Sequence, residues 1–153
     1  MTKNYITKAY IDMLTNKEKQ TGVFFTTPKV VFKGDKYKEK LSSNEKIVYQ
    51  ELYDMTKKAA HNNQVDSKGN VYVEVSYIFL SVSTGISDST IQRILSKKTN
   101  PLYTLRLLAI KERKEKSLTQ YYVMAPDYEG DDEIFLTNDA PTPKMLAKAK
   151  ELV

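Results

Sequence analysis

Cysteine is absent from the 153-residue chain, which excludes a disulfide framework, a thiolate metal site and a thiol nucleophile. The absence fits a reducing, cytoplasmic setting. Histidine occurs once, at His61, so no histidine pair can share a metal, and the residue reads as a helix C-terminal cap or an exposed side chain. The five glycines, Gly22, Gly34, Gly69, Gly85 and Gly130, are scattered, and none opens a phosphate-binding G-x-x-x-x-G-K-[ST] loop. Neither a G-x-S-x-G elbow nor an H-E-x-x-H pair is present. Long apolar runs are missing too. The longest, VYVEVSYIFLSV, is interrupted by Glu74 and is too short to span a bilayer. The N-terminus lacks the continuous apolar core of a signal peptide. With no constellation able to hold two catalytic groups in fixed geometry, the sequence reads as a non-enzyme needing no cofactor. Eleven tyrosines leave a tyrosine nucleophile conceivable, but it would need partner arginines or a histidine triad. Arg93 and Arg106 are the arginines outside the 113–117 segment.

Positive charge is present in modest excess and unevenly distributed. Lysine and arginine outnumber aspartate and glutamate by 24 to 19. Residues 1–40 carry nine bases and four acids, and residues 76–125 carry eight and three. Residues 41–75 are near neutral, and residues 126–153 carry three bases against seven acids. Two basic regions of this kind suit a polyanionic partner.

Along the chain, Ile6, Ala9, Tyr10, Met13 and Leu14 recur at helical spacing, which predicts an amphipathic helix over 4–19 packed on its own domain. VFF at 23–25 reads as extended and the lysine-rich 33–40 as a solvated loop. Ser42 and Glu45 form an S-x-x-E capping box before a long helix with Ile47, Val48, Leu52 and Met55 on one side. His61, Asn62 and Asn63 mark its end. VDSKGNVYVEV reads as a small hairpin turning at Asp66–Gly69, with Val71, Val73 and Val75 alternating against Tyr72 and Glu74.

YIFLSVS then supplies a short apolar helix, Thr84-Gly85-Ile86 a tight turn, and Ser87 an N-cap for a helix over Ser89–Lys98. On a wheel of about 100° per residue, Ile91, Ile94, Leu95 and the Lys98 stem share one face. Ser89, Gln92, Arg93 and Ser96 occupy the other. That is the layout of a helix-turn-helix whose second helix reads DNA, although an ordinary amphipathic surface helix has the same pattern. Asn100-Pro101 halts the helix. LRLLAIKER and LTQYYVMA follow as paired strands joined at a basic tip bearing Arg113, Lys114 and Lys116, the position of a wing. Residues 126–142 read as an acidic linker, and Pro143 starts a short amphipathic end piece.

The reading is therefore α+β and mainly helical: a winged helix-turn-helix with a small antiparallel sheet over 23–125. An N-terminal extension, 1–22, and an acidic linker with a short helix, 126–153, flank it. Gln92 and Arg93 would contact base edges of double-stranded DNA, and Ser87, Ser89, Thr90 and Ser96 phosphates or bases. Lys97, Lys98, Arg113, Lys114 and Lys116 would anchor the backbone. A transcription regulator would use the same residues on a promoter, and a protein-binding adaptor is the alternative from another class.

Three runs resemble the N-terminal domain of RepA_N-type plasmid replication initiators. These are the aromatic-x-x-Pro-Lys-x-x-Phe segment from Phe25 to Phe32, KYKEKLSSNEKIVY ending at Tyr49, and the V-D-x-x-G-x-V-Y hairpin from Val65 to Tyr72. The resemblance covers residues 23–98 well and the wing loosely, and excludes 1–22 and 126–153. It implies a winged-helix domain that binds repeated origin sites as a homodimer, in Gram-positive plasmids or related mobile elements. A separate domain would recruit host replication proteins. The Gly-Leu-Ile that often follows the recognition helix is replaced by LYTLRLLAI. The chain is expected to be the DNA-binding half of an initiator or a small stand-alone relative.

Overall fold

A computed structural model of the chain describes residues 5–18, 24–111, 119–137 and 141–153. Helix α1, Lys8–Glu18, forms where the apolar spacing predicts one. It does not pack as expected, since Tyr5, Ile6, Tyr10, Ile11 and Met13 are all exposed. An 11-residue helix is marginal alone in water, so this stripe is a surface still to be covered.

The body starts with residues 25–28 outside regular secondary structure, then a single helical turn, α2, Val30–Lys33, whose Val30 and Val31 are fully buried. Gly34 ends that turn at such close range that an added Cβ would lie 2.7 Å from the Val30 carbonyl oxygen. The solvated loop expected over 33–40 is instead a run of turns anchored by Tyr37, which is completely buried. The lysines on either side hid this, because one aromatic among six charged residues fixes the segment while its neighbours stay wet.

Helix α3, Ser43–His61, begins at the expected capping box. Ser42 Oγ accepts from the Glu45 N–H at 3.2 Å, and Glu45 Oε1 accepts from the Ser42 N–H at 2.8 Å. Val48, Tyr49 and Leu52 face the core, whereas Ile47 is turned outward. After the helix, Val65 bridges Val71 around a turn in which Gly69 takes φ 84°. Asp66 Oδ1 accepts the Lys68 and Asn70 N–H groups and stabilises that turn. Strand β1, Val73–Glu74, follows with Val73 and Val75 buried, as the alternation predicts.

Helix α4, Tyr77–Thr84, is capped by Ser76, and helix α5, Asp88–Ser96, by Ser87. The halt at Pro101 is also a start: Asn100 caps a short helix α6, Pro101–Thr104, with proline at its first position. The expected strand from Leu105 is correspondingly shorter, because Arg106 takes φ 58° in a turn. Strand β2, Leu108–Lys111, and strand β3, Gln120–Val123, pair antiparallel with Leu108 opposite Val123 and Lys111 opposite Gln120. β3 is central in the order β1-β3-β2. The fold is thus α+β and mainly helical, with a small antiparallel sheet. Leu52, Leu80, Ile91, Leu95, Leu102, Leu107 and Tyr121 join the helices and the sheet in one core.

Residues 126–137 depart from the linker expectation. They form a 3-10 turn, Gly130–Glu133, and helix α7, Ile134–Thr137, with Asp132 buried and Tyr128 and Phe135 packed on the core. The Asp127 N–H donates to Tyr37 Oη at 2.7 Å, and Lys36 pairs with Asp127 at 2.5 Å. Asp127 and Glu129 pair with Lys36, so charge that reads as solubilising serves to hold the segment down. Helix α8, Pro143–Glu151, starts at Pro143 and is tied back by Lys144 to Asp35 at 3.0 Å. No described helix is long and apolar enough to cross a membrane.

Candidate nucleic-acid interface

The α4–α5 pair is held by a turn that side-chain hydroxyls close with hydrogen bonds. Ser81 Oγ donates to the Ile86 carbonyl at 2.6 Å, Thr84 Oγ1 donates to the Leu80 carbonyl at 2.6 Å, and the Ile86 N–H donates to Thr84 Oγ1 at 3.2 Å. Gly85 sits at φ 78°, a left-handed conformation that a side chain would strain. Small hydroxyl residues and one glycine therefore set the angle between the helices.

On α5, Ile91, Ile94 and Leu95 are buried, and Ser89, Gln92, Arg93 and Ser96 are exposed. The two faces separate as the wheel predicts for these residues, but the helix ends at Ser96 rather than Lys98, so the Lys98 stem expected on the buried face is exposed instead. Lys97 and Lys98 extend the exposed side past the helix end. Ser87 and Thr90 are engaged locally: Ser87 Oγ accepts the Thr90 N–H at 3.3 Å and donates to Thr90 Oγ1 at 2.8 Å. Their polar groups serve the cap first. Arg113, Lys114 and Lys116, at the expected hairpin tip, lie outside the described residues.

Tyr103, unmarked in the sequence, and Asn100, expected only to halt the helix, support α5 at its far end. Tyr103 Oη donates to the Leu95 carbonyl at 2.6 Å, satisfying a carbonyl that the helix end leaves open. Asn100 accepts the Leu102 N–H at 2.9 Å and donates through Nδ2 to Glu45 Oε2 at 2.8 Å. The Asn-Pro pair carried a signal for this, since asparagine before proline is a helix start as well as a stop. Between the first turn of α3 and the last of α5 lies a cleft of about 330 Å³, lined by Ser42, Asn44, Glu45, Arg93, Lys97, Thr99 and neighbours. Among the described residues no group of His, Cys, Asp and Glu could hold a metal ion.

Residues 23–134 match the family model of the replication initiator protein A (RepA) N-terminus. The chain belongs to this family, RepA_N. Its match runs through the β2–β3 hairpin and the acidic 3-10 turn, beyond the stretch over which the sequence motifs are clearest. Solved structures share the RepA_N chain's fold. One, titled N-terminal domain of DNA binding protein, superposes with TM-score 0.62 at 24% identity, covering 92% of this chain and 100% of its own. A second, titled structure of Rep-DNA complex, gives 0.62 at 24% identity over 91% and 100%. A third, titled structure of MDR initiator, gives 0.55 at 22% identity over 97% and 98%. Comparison with curated protein sequences gave no match.

Proposed function

We propose that this RepA_N domain is a winged helix that binds double-stranded DNA sequence-specifically, in starting replication of a plasmid or related mobile element. The observation that carries the reading is α5 itself, with a sealed apolar face and Ser89, Gln92, Arg93 and Ser96 exposed opposite. A helix of this shape, offered by a rigid turn, fits the major groove. Gln92 and Arg93 would meet base edges, Ser89 and Ser96 phosphates or bases, and Lys97 and Lys98 would supply positive charge. Arg113, Lys114 and Lys116 would reach the flanking backbone. A neighbour of the same fold titled as a Rep-DNA complex supports the assignment.

The reading also places the domain in the cytoplasm as a homodimer on repeated sites, with host replication proteins as further partners and no catalytic step of its own. The uncovered stripe of Tyr10 and Met13 on α1, continued by Ile6 just before it, supports self-association. Binding-site selection from random duplex, followed by anisotropy titration at several salt concentrations, tests the proposal. A recovered motif and a steep salt dependence are the expected result.

A second reading, a protein-binding adaptor, is favoured by one feature. Ile78, Phe79 and Val82 on α4 are exposed by 68%, 53% and 80%, and an apolar face gains nothing beside phosphates. Absence of any duplex binding at low salt would select it.

A further inference from the structure

The cleft between α3 and α5 joins elements far apart in sequence. One wall is the start of α3, with Ser42, Asn44 and Glu45, and the other is the end of α5 and its exit, with Arg93, Lys97, Thr99 and Asn100. Arg93 and Lys97 are exposed and make no ion pair or side-chain hydrogen bond with another described residue. Glu45 is the one acid in the lining, and both of its oxygens are already taken, by the Ser42 N–H and by Asn100 Nδ2. The cleft therefore holds two open cations, an amide at Asn44 and a hydroxyl at Thr99, against one carboxylate occupied on both sides. Unlike Gln92, Arg93 has a concave polar wall beside it.

We infer that this cleft seats a single backbone phosphate of the bound duplex, and that Arg93 clamps the backbone rather than reading a base. Arg93 and Lys97 supply charge, while Asn44 Nδ2 and Thr99 Oγ1 donate hydrogen bonds. The first turn of α3, which the helix-turn-helix layout leaves out, thus becomes part of the interface. Base discrimination falls to Ser89, Gln92 and Ser96. The inference rests on the DNA-binding reading above and adds to it a defined set of residues with a non-specific role.

The test uses the full chain, a duplex recovered by selection, and a scrambled duplex of equal length. Asn44→Asp is the informative variant. A carboxylate in the first turn of α3 favours the helix dipole, so the fold keeps or gains stability while a phosphate is repelled. Asn44→Asp, Arg93→Gln and Lys97→Gln are each expected to weaken both duplexes by a similar several-fold factor. Removing both charges together should lower the salt slope by about 0.9, the value for one lost phosphate contact, and each removal alone by part of that. Lys150→Gln on α8, remote from the cleft, should change neither. If the wild-type chain binds no duplex, the DNA-binding reading falls and the seat with it. If the wild type binds and Asn44→Asp binds equally well with unchanged slopes, the seat alone is overturned. Loss confined to the selected duplex in Arg93→Gln would also overturn it, returning Arg93 to base reading.

Discussion

Glu45 and Asn100 are joined by a 2.8 Å hydrogen bond that links the N-caps of two helices. Glu45 closes the box that starts α3, and Asn100 starts α6 directly behind α5. The carboxylate is 8% exposed, so the bond is largely shielded from water. Removing it breaks one cap and strands the amide of the other. Glu45→Ala should cost about 2–3 kcal/mol, combining a lost cap with a lost charge-assisted hydrogen bond. Glu45→Gln should cost less, because an amide can still accept from Ser42. Urea unfolding of the three proteins measures the ordering. Equal stability of wild type and Glu45→Ala would remove the link from the account.

Tyr103 tests the support of α5 separately from its exposed face. Its hydroxyl donates to the Leu95 carbonyl at 2.6 Å while its ring packs against the core. Tyr103→Phe keeps the ring and deletes one hydrogen bond, so a loss of about 1 kcal/mol is expected. Amide exchange should quicken in the last turn of α5 before it changes in α3. Uniform acceleration across the chain would mean that the hydroxyl has no local role.

What the sequence made legible follows from periodicity and local chemistry. The cap at Ser42, the turn at Gly85 and the two faces of α5 each depend on residues within a few positions of one another. The anchoring of Tyr37 by the Asp127 N–H spans 90 positions, and Glu45 to Asn100 spans 55, so neither leaves a local trace. Charge misled most. Residues 33–40 and 127–133 both read as wet segments, yet opposite charges bring them together through Lys36 with Asp127 and Glu129. The amphipathic pattern of α1 was legible while the surface that covers it was not, because a hydrophobic stripe says nothing about its partner. On α5 the exposed residues were legible, but the α3 wall of the cleft, with Asn44, needed the fold to bring it close.

Gly85 offers a test of the turn with no steric complication. A Cβ built there meets nothing within 4 Å, so substitution penalises only the left-handed backbone at φ 78°. Gly85→Ala should destabilise by about 1 kcal/mol. Gly85→Asn should recover part of that, because asparagine tolerates this region better than alanine. Chemical denaturation distinguishes them. A stabilised alanine variant would mean that the turn relaxes to a different geometry.

Buried phenols give the chain a defined alkaline limit. Burial raises Tyr49, Tyr103 and Tyr121 well above the ordinary tyrosine value, with neighbouring tyrosines adding to the effect. Tyr49 donates to the Met124 carbonyl at 2.9 Å and Tyr103 to the Leu95 carbonyl, bonds that only the protonated phenol can make. The folded chain therefore holds protons that the unfolded chain releases near pH 10. Their stabilising contribution is complete below that pH and is lost as the pH climbs toward the folded-state values. Unfolding free energy should fall above about pH 10, by up to about 1.4 kcal/mol per pH unit for each buried phenol. Phenolate absorbance from these three should appear together with loss of the helical circular dichroism signal. Tyr103→Phe should make the fall shallower by one proton's worth. Complete tyrosine ionisation with the helical signal intact would show that the phenols reach water without unfolding, and would contradict a core closed around Tyr49 and Tyr121.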